Sequence, residues 1–131
     1  MITEDYVSFE VARLLRNKGF DETCYACYEY FKSSVTLYHG WPFEYKGHPV
    51  KNSSDRIKCP TLQMVMKWLR ETHRIDICVC RELDEYGKCF NGYIAVVYKN
   101  GYYKVTIREA TKDLTYEEAA NKAIEYCLTL I

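Results

Sequence analysis

Apolar residues recur at helical spacing in three stretches of the chain. The first holds Val7, Val11, Leu14 and Leu15 on one stripe and predicts a helix over residues 8–18. Ser8 suits its N-cap, Glu10 its first turn, and Val7 can staple against Ala12. A start at Thr3, with Glu4 and Asp5 in the first turn, is the alternative. Gly19 supplies a left-handed stop, and Phe20 can fold back on the last turn. The second stretch is central, residues 60–73. Leu62, Val65, Met66 and Leu69 make its stripe, Met64 and Trp68 widen it, and Lys67, Arg70 and Glu71 mark the wet side. Its apolar surface exceeds what one contact needs, so this helix is expected to support both halves of the chain. The third opens with a capping box, Thr115-Tyr116-Glu117-Glu118, and buries Ala120, Ala123, Ile124, Cys127, Leu128 and Ile131.

Strand periodicity fills much of the rest. Residues 24–38 hold four tyrosines, a phenylalanine and a valine, with a turn expected at Lys32-Ser33-Ser34. Residues 39–59 lose periodicity and read as a long loop, a length that is usually functional or mobile. Ile75, Ile77 and Val79 alternate with Asp76, Cys78 and Cys80, as in a half-buried strand. Asn100-Gly101 predicts a type I′ hairpin that pairs Tyr98 with Tyr103, Val96 with Val105 and Ile94 with Ile107. Those pairs would form the apolar face. Lys99, Lys104, Thr106 and Arg108 would share the other face with Tyr93, Ala95 and Val97. The expected fold is α+β: one two-layer domain over residues 1–131, an antiparallel sheet of about three to five strands with three helices, in the order α-β-β-α-β-β-β-α.

Composition narrows the function classes. Eighteen basic residues balance eighteen acidic ones, and each half of the chain is balanced too, which argues against a polyelectrolyte that grips phosphate backbones nonspecifically. Thirteen tyrosines are an excess, and tyrosine is enriched both at interfaces and at half-buried strand positions. The opening MITEDYVSFE is acidic and lacks a long apolar run. No stretch approaches the roughly 18 apolar residues of a membrane span. Seven cysteines, an odd number without a secretion signal, read as reduced thiols in a cytoplasmic protein.

Candidate chemistry is thin. Cys24-x-x-Cys27 and Cys78-x-Cys80 suggest zinc, but four converging ligands are needed. Strand alternation would send Cys24 and Cys27 to opposite faces, while Cys78 and Cys80 share one. No metal site is therefore expected. The carboxylate pairs Asp84-Glu85 and Glu117-Glu118 fall in a solvated loop and at a helix start. No P-loop, GxGxxG, HExxH or GxSxG motif occurs, so no catalytic residue and no cofactor are expected.

Three segments, YVSFEVARLLRNKGF, PTLQMVMKWLRE and TYEEAANKAIEYCLTLI, resemble a family of small uncharacterised proteins of Bacteroides and related gut Bacteroidetes, often found in phage or other mobile regions. The resemblance implies a cytoplasmic protein of mobile-element type and brings no catalytic residues with it. The leading expectation is a non-enzymatic module that binds protein, a second copy of itself included. Its contact surface would be Tyr25, Tyr28, Tyr30, Tyr38, Trp41 and Phe43. The alternative is nucleic-acid binding through Lys46, Lys51, Arg56 and Lys58 in the loop, joined by Lys99, Lys104 and Arg108 on the hairpin. An enzyme without a recognisable motif is the second alternative.

Overall fold

Ser8 caps the first helix as its position predicts. In a computed structural model, which describes residues 5–39 and 49–131, its Oγ accepts the Val11 amide at 3.3 Å and α1 runs Phe9–Asn17. Gly19 sits at φ +82°, and the Phe20 amide closes back on the Leu15 carbonyl. The chain forms two compact units, Met1–Thr61 and Leu62–Ile131.

The first unit sets α1 beside a three-stranded antiparallel sheet of order β2-β1-β3. Strands β1 (Cys27–Phe31) and β2 (Ser34–Tyr38) meet through a tight turn in which Lys32 adopts φ 56°. The third strand, β3 (Arg56–Lys58), lies inside the segment expected to be loop. It is only three residues long and pairs with β1 across a wide sequence gap, so no local pattern announces it. Val7, Val11, Ala12, Leu15, Phe20, Val50 and Ile57 are buried in this unit.

The second unit contains α2 (Leu62–His73), β4 (Ile75–Leu83), β5 (Cys89–Lys99), β6 (Tyr102–Ile107) and α3 (Tyr116–Leu128). The three strands form an antiparallel sheet in sequence order, and both helices pack against it. The Gln63 amide donates to the Tyr116 hydroxyl at 3.0 Å and ties α2 to α3. The capping box at Thr115 closes as expected, with both reciprocal hydrogen bonds made. The fold is thus α+β with the expected order of elements, the strands being divided between two three-stranded sheets and β3 added to the first.

The hairpin corrects one expectation. Asn100 and Gly101 make the turn, at φ 53° and 81°, and Tyr98 faces Tyr103. Beyond that pair the register shifts: Val97 faces Val105, Val96 faces Thr106, and Ala95 faces Ile107. Lys104 is the extra residue of a β-bulge. The bulge turns Val105 and Ile107 onto the side of Ala95 and Val97, both fully buried. The face expected to be wet is therefore the core face. It is completed on β4 by Ile75, Ile77 and Val79, and small Ala95 leaves room for a helix to approach closely. The face expected to be buried looks outward.

Candidate functional site

The outward face of the second sheet is built by strand alternation. Asp76, Cys78 and Cys80 come from β4, Ile94, Val96 and Tyr98 from β5, and Tyr103 and Thr106 from β6. Register brings Cys78 opposite Val96 and Cys80 opposite Ile94. The Tyr98 and Tyr103 rings meet edge to face at 6.4 Å, and the Tyr103 hydroxyl lies 3.1 Å from Thr106 Oγ1. Tyr103 is 60% exposed and Tyr98 37%, so aromatic area is presented on this face at the hairpin end, while Tyr102, opposite Lys99, belongs to the other face. Ile94 and Val96, farther along β5 on the same face, are half-buried. The result is a sheet face of apolar, aromatic and small polar groups, with the exposed Asp76 carboxylate at one side.

The residues singled out from sequence fall elsewhere. Tyr28 and Tyr30 turn to α1, with rings 5.6 and 6.2 Å from Phe9, and the Tyr28 hydroxyl donates to the Val7 carbonyl at 2.7 Å. They are packing groups of the first unit. Tyr38 is half-buried and Tyr25 is half exposed. Trp41, Phe43 and Lys46 lie outside the described residues. Of the basic candidates, Arg56 pairs with Glu29 at 3.0 Å and Lys58 with Asp21 at 3.2 Å. Lys99 lies on the core face and donates to the Leu130 carbonyl at 3.0 Å, and Arg108 pairs with Glu82 at 3.2 Å. Lys51 and Lys104 are exposed. Lys51 belongs to the first unit and Lys104 to the second.

The cysteines divide into two sets. Cys24, Cys27, Cys59 and Cys127 are buried, where thiols serve as small apolar fillers. The expectation that alternation separates Cys24 from Cys27 assumed a strand through both; β1 begins only at Cys27, and both side chains are interior. Burial pushes the Cys24 thiol up to about 11 and the Cys59 and Cys127 thiols up to about 12. For Cys59 the neighbouring Cys24 adds to the effect. Among the described residues no group of three or more His, Cys, Asp or Glu side chains is arranged to hold a metal ion.

A pH dependence follows. The unfolded chain loses thiol protons near the ordinary value of 9.0, while the folded chain keeps them to about 11 or 12. The thiols' contribution to stability is complete below pH 9 and is lost as pH rises toward those values. The urea midpoint should fall between pH 8.5 and 10.5, and Cys127→Ala should flatten that fall; an unchanged slope in the variant would contradict the assignment.

The described cleft of the second unit is lined by Gly92, Tyr93, Arg108, Glu109, Lys112 and Asp113 and has a volume of about 240 Å³. That is below the usual size of a small-molecule site. Ion pairs hold Lys112 with Glu118 at 2.7 Å, Glu109 with Lys122 at 3.0 Å, and Arg108 with Glu82. It assembles no nucleophile and base. Among the described residues no helix is long and apolar enough to cross a membrane.

The class of the molecule is set by these elements: an α+β protein with two small antiparallel sheets, one of which shows an open face. No family model, no curated protein and no solved structure matches the chain.

Proposed function

We propose that the protein is a non-enzymatic, cytoplasmic protein-binding module whose contact surface is the outward face of the second sheet. One observation carries this reading. Tyr98 and Tyr103 stand in edge-to-face contact on a sheet, exposed, with half-buried Val96 and Ile94 beside them. Rigid aromatic groups ringed by small polar ones are what binding hot spots are made of. Pairing of Arg56, Lys58 and Arg108 with carboxylates favours protein over nucleic acid as the partner.

The test is a comparison of variants. Tyr98→Ala with Tyr103→Ala should weaken partner binding by about 2 kcal/mol or more, roughly thirtyfold. Tyr25→Ala with Phe31→Ala, on the first unit, should leave it unchanged. Unaltered binding by the Tyr98/Tyr103 variant would remove the assignment. A retarded DNA or RNA band at moderate salt, abolished by charge reversal of Lys51 or Lys104, would replace it with the nucleic-acid reading.

A further inference from the structure

We infer that Cys78 and Cys80 form a two-thiol site for a soft monovalent metal ion, with copper(I) as the representative ligand. The argument is independent of the protein-binding reading and rests on three features of strand β4 and its neighbour β5. The two residues are i and i+2 on one strand, so their side chains leave the same outward face. Cys78 is exposed and Cys80 half-buried, whereas Cys24, Cys27, Cys59 and Cys127 are interior and closed to a solvent-borne ion. Across the strand pair they face Val96 and Ile94, an apolar platform that suits a soft, weakly hydrated ion.

Spacing decides which chemistry the pair can do. Same-face neighbours on a strand have Cβ atoms about 6.6 Å apart, twice the rise per residue. A disulfide needs about 3.5–4.5 Å between Cβ atoms, so closing one here would buckle the strand. A linear sulfur–metal–sulfur unit spans about 4.6 Å if each bond has the length of a zinc–thiolate bond. Two sulfurs leaning toward each other from neighbouring same-face positions can meet that span. Tetrahedral zinc would need two more ligands, and among the described residues no third His, Cys, Asp or Glu joins the pair in a metal-binding group. A two-coordinate soft ion is what remains. On binding, two S–H bonds break and two metal–sulfur bonds form. Both protons leave to solvent, and the metal stays monovalent.

The experiment is an anaerobic titration of the full chain with copper(I) against a chromogenic chelator. The expected result is one equivalent bound per chain. Affinity should rise with pH, because two protons are released. Loss of an outer-shell partner alone costs 10–100-fold in metal affinity, so Cys78→Ser or Cys80→Ser should cost at least about a hundredfold. Both positions face outward, so serine should leave the unit folded, checked by hydrogen exchange of the β5 amides. A second measurement needs no variant: bound copper should protect Cys78 and Cys80 of the native protein from iodoacetamide, read by peptide mapping. Wild-type affinity in the Cys78→Ser/Cys80→Ser double variant, an equal loss in Cys89→Ser, or unhindered alkylation of Cys78 and Cys80 with copper bound would each overturn the site.

Discussion

Ile124→Ala should destabilise the protein by about 2–5 kcal/mol. Six residues of α3 are buried, and four of them are Ala119, Ala120, Ala123 and Cys127. Those small side chains let the helix lie close to β4 and β5, where Ala95 is fully buried on the sheet side. Most of the volume in that layer therefore comes from Ile124 and Leu128, at 0% and 2% exposure. Truncating Ile124 leaves a void that close-set backbones cannot easily fill, so the cavity cost adds to the lost transfer energy. A protein of this size is stable by on the order of 5–15 kcal/mol, so the loss is a large fraction of the total. Thermal unfolding should shift down by roughly 10 °C or more. A shift of only a degree or two would mean that α3 collapses onto the sheet freely.

The second large effect is expected at Gly92. A glycine in a strand ordinarily gains about 0.4–1 kcal/mol when replaced by alanine, because the unfolded chain loses freedom. Here a Cβ would lie 3.0 Å from both Cα and Cβ of Asp113 and 3.1 Å from the Leu114 amide nitrogen. The neighbour is backbone, held in place by the Tyr93 amide donating to the Leu114 carbonyl at 2.9 Å. Leu114 is itself buried and leads into the Thr115 cap of α3. Overpacking costs about 1–3 kcal/mol, which outweighs the entropic gain, so Gly92→Ala should be net destabilising and Gly92→Val more so. Urea unfolding of both variants, with exchange of the Tyr93 amide, checks this. A stabilised Gly92→Ala with a still-protected Tyr93 amide would show that the segment gives way at little cost.

Much of this architecture is written locally in the chain. Ser8, Gly19, the Thr115–Glu118 box and Asn100-Gly101 each act through residues within four positions, and each does what its chemistry predicts. What the sequence hides is nonlocal. β3 is three residues in a polar stretch and exists because β1 offers it a ladder. The bulge at Lys104 has no sequence mark, because Ile94, Val96 and Tyr98 match Ile107, Val105 and Tyr103 better in the unbroken register. Burial under α3 selects the small face, Ala95 and Val97, against that match. The inserted residue carries Val105 and Ile107 to the buried face while Tyr103 stays opposite Tyr98. Tyr98 and Tyr103, assigned to the core from sequence, became the exposed aromatic pair, while Tyr28 and Tyr30 became packing for α1. The signal that could have found this is Ala95: an alanine flanked by Ile94 and Val96 marks the face a helix approaches most closely.

The most direct test of the proposed contact surface is site-specific photo-crosslinking in the native cell, with the reactive group placed at Tyr103 and, separately, at Phe31 on the first unit. Phe31 is 76% exposed, so both probes are accessible. The account predicts one discrete protein adduct from position 103 and none from position 31. Adducts from position 31 alone, adducts to nucleic acid, or no adduct from position 103 would contradict it.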